Sequence, residues 1–169
     1  MEKSPIFFVT GASGSGKTTV TPDLYKICSE FIILDVDSLY GPGLEDWDVI
    51  ANLWIRIANQ MLLNQKLTIV CGTYMPAQFE NAYLKEKFTP YFIGLFCDDE
   101  TREYRLKRRG WSDEMVQDHK EFNSWIIQNA ETAFGTPMPL INTSVAEPSK
   151  VAEDIKHHIM SIIGSSQLF

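Results

Sequence analysis

The chain has 169 residues, with 15 Lys plus Arg against 22 Asp plus Glu, so its formal net charge is −7. A single domain over 1–169 is expected at this length, burying roughly 70% of the surface the unfolded chain exposes. The 44% hydrophobic and 22% charged content excludes wholesale disorder. The acidic balance argues against a nucleic-acid backbone as partner, because such footprints are basic. It leaves room for one small anion held in a local pocket.

In chain order, short apolar runs alternate with longer segments of helical period. Pro5–Thr10, Phe31–Asp35, Leu67–Thr73, Tyr91–Cys97 and Pro139–Thr143 read as strands. They are nearly continuous Ile, Val, Leu and Phe, as in strands covered on both faces. Between them, Trp47, Ile50, Trp54, Ile57 and Met61 recur at steps of three and four, which predicts a helix over Trp47–Met61. Near the end, Pro148 suits a first helical position. Val151, Ile155, Ile159 and Ile162 form its stripe, and Gly164 is a stop signal. His157 and His158 then fall in a last turn, favourable to the helix dipole. Repeated strand–helix alternation predicts an α/β fold, a five-stranded parallel sheet with helices on both faces.

Residues 99–135 depart from the alternation. They read as two successive helices broken at Gly110–Trp111, with Ser112 capping the second. Such a pair at the carboxyl end of a sheet is a natural short helical lid. No apolar run reaches membrane-span length, and the N-terminal residues lack signal-peptide architecture. Cys28, Cys71 and Cys97 match neither a disulfide framework nor zinc spacing. Inert core thiols in a reducing, cytoplasmic compartment are expected. No membrane partner is expected, and the oligomeric state stays open between a monomer and a small homo-oligomer.

The strongest motif is GASGSGKTT, Gly11 to Thr19, which satisfies G-x-x-x-x-G-K-[ST] between an apolar strand and a helix. Glycines let successive N–H groups turn inward onto phosphate oxygens, and the helix N-terminus adds partial positive charge. Lys17 reaches the outer phosphates and the Thr18 hydroxyl is a magnesium donor. Gly11, Ser13, Gly14, Ser15, Gly16, Lys17, Thr18 and Thr19 are thus the expected nucleotide-binding residues, for ATP with Mg2+. Pro22 falls beyond the first helical turn and predicts a kink or a delayed helix start.

Where many phosphate-loop proteins carry an acid after the third strand, this chain has Gly72 and Thr73. The next acids are Asp35 and Asp37, ending the second strand as D-x-D. All parallel strands end on one edge, so this pair faces the same crevice as the phosphate loop. One carboxylate can hold a magnesium-bound water while the other meets an acceptor hydroxyl. On the far side, CDDETREYRLKRRGW puts Arg105, Arg108 and Arg109 on the helix before the break. Guanidinium forks suit a phosphoryl group, though a solvated basic face has the same pattern.

With the phosphate loop and D-x-D together, the chain resembles the small-molecule branch of the nucleoside monophosphate kinase-like family. That branch includes shikimate kinases, gluconate kinases and chloramphenicol phosphotransferases. The resemblance implies the three-layer P-loop NTPase fold and an ATP-dependent phosphotransferase acting on an alcohol group. It gives Asp35 the magnesium role and Asp37 the substrate-base role. Arg105 would lie near the adenine and Arg109 on the transferred phosphate, with Arg108 competing for the second role. The stretch Asn142 to Glu147 resembles the family's adenine-side loop.

GTYMP at Gly72–Pro76 departs from the pattern. It lacks the glycine-rich substrate motif of shikimate kinases and the arginine of nucleoside monophosphate kinases. A neutral or weakly charged acceptor is therefore favoured. Tyr40, Trp54, Arg56 and Tyr74 are candidate acceptor residues, with Trp47 available beside them. Trp54 sits on the apolar stripe, which favours a core role, and Arg56 falls off it, as a surface residue would. His119, beside Met115, Phe122 and Ile126, reads as a packing histidine. The function expected is transfer of the γ-phosphoryl group of Mg-ATP to a hydroxyl of a small metabolite, nucleoside-like or sugar-acid-like. A nucleoside monophosphate kinase and a non-catalytic nucleotide-binding regulatory protein stay open as alternatives.

Overall fold

In the computed structural model, which describes residues 3–165, five parallel strands form one sheet in the order β2-β3-β1-β4-β5. The strands are β1 (Ser4–Thr10), β2 (Ile32–Asp35), β3 (Thr68–Cys71), β4 (Phe88–Phe96) and β5 (Leu140–Asn142). The helices are α1 (Lys17–Ile27), α2 (Trp47–Leu63), α3 (Pro76–Glu80), α4 (Asp99–Lys107), α5 (Asp113–Asn129) and α6 (Pro148–Ser165). The expected architecture is borne out.

The continuous apolar runs have the physical cause expected of them. Side chains alternate across a strand, so Ile6 and Phe8 of β1 enter one core while Phe7 and Val9 enter the other. On the first face they meet Ile50, Trp54 and Ile55 of α2, Phe79 of α3, and Ile126, Ala130 and Phe134 at and just after the end of α5. On the second they meet Val20 and Leu24 of α1 and Val151, Ile155 and Ile159 of α6. Fully burying each such side chain contributes roughly 1.5–3 kcal/mol. Cys28, Cys71 and Cys97 are free and buried, and burial pushes the Cys71 thiol up to about 12. They are buried core thiols, as expected.

Several boundaries differ from the sequence reading. β4 starts at Phe88 rather than Tyr91, because Phe88, Thr89 and Pro90 continue the ladder opposite Ser4, Pro5 and Ile6. Pro90 there reads as a strand breaker in sequence. α2 continues to Leu63, and its buried positions are Ile50, Ala51, Trp54, Ile55 and Ala58, while Trp47 is exposed. α1 starts at Lys17 and runs through Pro22 without a delayed start. α6 continues through Gly164, so that glycine is not its stop and His157 and His158 stand well before the last turn. The helix pair of residues 99–135 forms as expected, with Ser112 accepting from the Met115 N–H at 3.3 Å and Gly110 in a left-handed conformation.

Candidate active site

β1 lies between β3 and β4, where the chain crosses from one half of the sheet to the other. In open α/β sheets a crevice opens outside the carboxyl ends of the strands at such a point. The phosphate loop fills it. Gly16 caps α1 with φ 97°, a left-handed backbone that glycine adopts without strain. The Lys17 Nζ donates back to the Gly11 carbonyl at 2.7 Å and the Ala12 carbonyl at 2.9 Å. Burial is the main cause that lowers its pKa to about 8, and Asp37 acts against that shift.

Asp37 reaches the crevice through a short 3-10 turn, Val36–Leu39, that follows β2 directly. Asp35 caps this turn, its Oδ1 accepting from the Asp37 N–H at 3.0 Å. The turn packs closely on Gly72, where an added Cβ would sit 2.4 Å from the Val36 Cβ. From the other side the Trp54 indole donates to the Val36 carbonyl at 3.2 Å. Burial first, then the neighbouring Asp35 charge, raises the Asp37 carboxyl above its ordinary value, and Lys17 opposes them.

A cavity of about 570 Å³ joins these parts. Ser13, Gly14, Gly16, Lys17 and Thr18 line it from the phosphate loop, with Asp37, Trp47, Thr73, Met75 and Gln78 on other walls, Arg109 from the turn after α4 and His119 from α5. Of the three candidate arginines, Arg109 lines this cavity. Arg108 instead packs on the Tyr104 ring at 5.6 Å. Arg105 belongs to the frame: its guanidinium donates to the Gly14 carbonyl at 3.1 Å and the Thr143 carbonyl at 2.7 Å. It also borders a recess of about 100 Å³ with Gly16, Thr19, Val20, Ala146 and Pro148.

Other expected residues stand elsewhere. Gly11 is buried, and its carbonyl accepts from Lys17 and from Thr73 Oγ1. The Ser15 side chain is wholly buried and its N–H donates to the Ala12 carbonyl, so neither faces the cavity. Three acceptor candidates are corrected. Trp54 is 5% exposed and belongs to the α2 core. Tyr74 is fully buried, stacked on Phe8 at 4.3 Å and donating its hydroxyl to the Ala51 carbonyl. Arg56 sits over the Tyr83 ring at 5.6 Å, away from the cavity lining. Both aromatic candidates were large apolar groups near the crevice in sequence, and the core claimed them. Tyr40 does not line the cavity but stacks on Trp47, with ring centroids 4.7 Å apart.

The sequence reading missed three participants. His119 reads in sequence as a packing histidine, yet it lines the cavity, edge-on to Trp111 at 4.7 Å, and its buried Nδ1 has no hydrogen-bond partner. Burial lowers its pKa, with Arg102 and Lys17 adding to the effect. Arg102 is 1% exposed and its stem lies against Gly14. Thr143 donates its hydroxyl to the Ser15 carbonyl at 2.8 Å and ties the end of β5 to the loop. Only the steps of three and four from His119 to the lid's exposed Met115 and half-buried Phe122 hinted at its position.

Comparison with known proteins agrees with this fold. No curated protein sequence matches the chain. The AAA domain family matches residues 7–126. Among solved structures, the shikimate kinase from Acinetobacter baumannii in complex with shikimate is similar, at 16% identity and TM-score 0.63, covering 95% of each chain. A gluconokinase from Sinorhizobium meliloti 1021 is similar at 14% identity and TM-score 0.63, covering 99% of this chain and 100% of that one. The YorR protein from Bacillus subtilis, in complex with phosphorylated GDP, is similar at 16% identity and TM-score 0.62, covering 97% and 99%. The chain therefore belongs to the AAA domain family, with the fold of the P-loop small-molecule kinases of nucleoside monophosphate kinase-like type.

Proposed function

We propose that the protein is an ATP-dependent kinase that transfers the γ-phosphoryl group of Mg-ATP to a hydroxyl of a small metabolite, nucleoside-like or sugar-acid-like. One observation carries the reading: the phosphate loop, Asp37 and Arg109 line a single cavity. A phosphoryl donor and a hydroxyl acceptor can therefore meet between a cationic wall and a base.

The donors available to a metal are hard oxygens, the Thr18 hydroxyl in the cavity and the carboxylate of Asp35, which is not among the lining residues but caps the turn carrying Asp37, and they suit magnesium. Among the described residues no group of three or more acidic, His or Cys side chains could hold a metal alone. Magnesium would enter with the phosphates, and when bound it neutralises charge on the transferring group. Lys17 and the loop N–H groups hold the outer phosphates, and Arg109 adds charge stabilisation from the lid. The acceptor oxygen forms the new bond to phosphorus, its proton passes to Asp37, and the bridging oxygen leaves with ADP. The recess beside Arg105, Thr143 and Ala146 suits the adenine.

The test is ADP release from Mg-ATP across nucleosides, nucleoside monophosphates, sugar acids, shikimate and phenicol-type alcohols. Acceptor-stimulated release supports a kinase, and a nucleoside monophosphate as best acceptor moves the reading to a nucleoside monophosphate kinase. Nucleotide binding with no stimulated release by any acceptor moves it to a non-catalytic regulatory protein.

A further inference from the structure

We infer that the acceptor is a planar, uncharged ring compound carrying the reacting hydroxyl, of the nucleoside or aryl-alcohol kind, stacked on Trp47. The inference rests on the kinase reading of the same cavity and narrows its acceptor.

The first observation is an exposed aromatic pair at the cavity. Trp47 opens α2, and the Asp46 carboxylate fixes that helix start by accepting from the Asp48 and Val49 N–H groups at 2.9 and 3.2 Å. The indole is 44% exposed although it lines the cavity with Lys17 and Asp37. Tyr40, 51% exposed, backs one indole face at an interplanar angle of 15°. Two large rings kept half in water forgo the burial that Trp54, two turns along the same helix, obtains fully. A ring held on one face by a neighbour is already ordered, so stacking a planar partner on its free surface costs little further entropy.

The second observation is the charge distribution. The Lys and Arg side chains lining the cavity are Lys17 and Arg109. Lys17 is tied to the phosphate loop and Arg109 stands on the lid side. The wall of Trp47, Thr73, Met75 and Gln78 carries no charge, and the charge next to it is the Asp37 carboxylate. A carboxylate or phosphate on the acceptor would be desolvated there beside a like charge. The α2 arginine that could have compensated, Arg56, is engaged with Tyr83 outside the lining.

The polar groups left over suit a heteroatom-bearing ring edge. Gln78 accepts the Met75 N–H with its Oε1 at 2.9 Å, which leaves its NH2 as a donor on the cavity wall. His119 lines the same cavity, although its Nδ1 is itself buried. The volume of about 570 Å³ is that of an ordinary small-molecule site.

The test measures kcat/KM for uridine, inosine and a phenicol alcohol against gluconate, shikimate and uridine monophosphate, at saturating Mg-ATP, in the full chain. The planar uncharged acceptors should rank first. Trp47→Ala should raise their KM about tenfold and Trp47→Phe much less, the size expected for one lost stacking contact. A best kcat/KM for gluconate, shikimate or the monophosphate contradicts the acceptor class and leaves the kinase reading standing. So does an acceptor KM unchanged in Trp47→Ala. If no compound stimulates turnover, the kinase reading fails. Quenching of Trp47 fluorescence by uridine or inosine with Mg-ADP present, read as the difference from Trp47→Phe, then decides the ring-binding claim alone, and absence of quenching overturns it. Loss of a co-purifying protein in Trp47→Ala, with no effect on acceptor KM, also overturns it in favour of protein docking.

Discussion

Lys17 is charged in the free protein only below about pH 8, because burial lowers its pKa to that value. An arriving triphosphate favours the charged form, so above that pH nucleotide binding must take up a proton. Affinity for ATP is therefore expected to be flat below pH 8 and to fall as pH rises through it, measurable as Kd between pH 7 and 9.5. The Asp37 carboxyl is raised, so the acid limb of kcat/KM should lie above the ordinary carboxylate range. Asp37→Asn should cut turnover by roughly 100-fold or more, the scale of a lost general base, and spare ATP binding. The two tryptophans of α2 separate by burial. Trp54→Ala should cost about 3–5 kcal/mol in chemical denaturation, and Trp47→Ala about 0.5 kcal/mol or less. In sequence both stood on one apolar stripe, and periodicity alone could not say that the first would hang over a cavity. The phosphate loop was legible because its function is carried by local backbone. His119, Arg102 and Thr143 were not, because each meets the phosphate loop or its cavity from more than 80 residues away.

At the level of elements, the turn carrying Asp37 depends on a glycine just after the neighbouring strand β3. Gly72 has φ 145° and no room for a Cβ against Val36. Gly72→Ala should therefore destabilise the fold by about 1–3 kcal/mol and also lower kcat by displacing Asp37, a pairing of effects that a purely structural glycine would not give. In sequence Gly72 and Thr73 were notable only for the acid they lacked. Their positive roles, packing on Val36 and donating from Thr73 Oγ1 to the Gly11 carbonyl, need the pairing of β3 with β2 and with β1 to become visible. Strand existence was legible from continuous apolar runs. The missed α3 is five residues long, too short for periodicity to register. The segment 99–135, proposed as a lid, is firmly anchored at both ends, by Leu106 and Arg102 near the phosphate loop and by Ile126, Ala130 and Phe134 in the sheet core. Motion on closure is thus expected to centre on the Arg109–Ser112 turn.

Over the whole molecule, a net charge of −7 coexists with a phosphate site because the positive field is local. It comes from Lys17, Arg109 and the N-terminus of α1, whose dipole formal charge does not count. Binding confined to the native state must stabilise it, so Mg-ADP at 100 times its Kd should add about 2.7 kcal/mol to unfolding, read as a rise in Tm. The central claim is that this cavity couples ATP cleavage to an acceptor hydroxyl through Asp37. The most direct measurement is the phosphorylated acceptor itself, quantified by mass spectrometry beside ADP in the native protein and in Asp37→Asn. The account predicts equal amounts of the two products in the native protein, and in the variant ATP bound with phosphorylated acceptor formed roughly 100-fold or more slowly. ADP formed without phosphorylated acceptor, or transfer undiminished in Asp37→Asn, would contradict it.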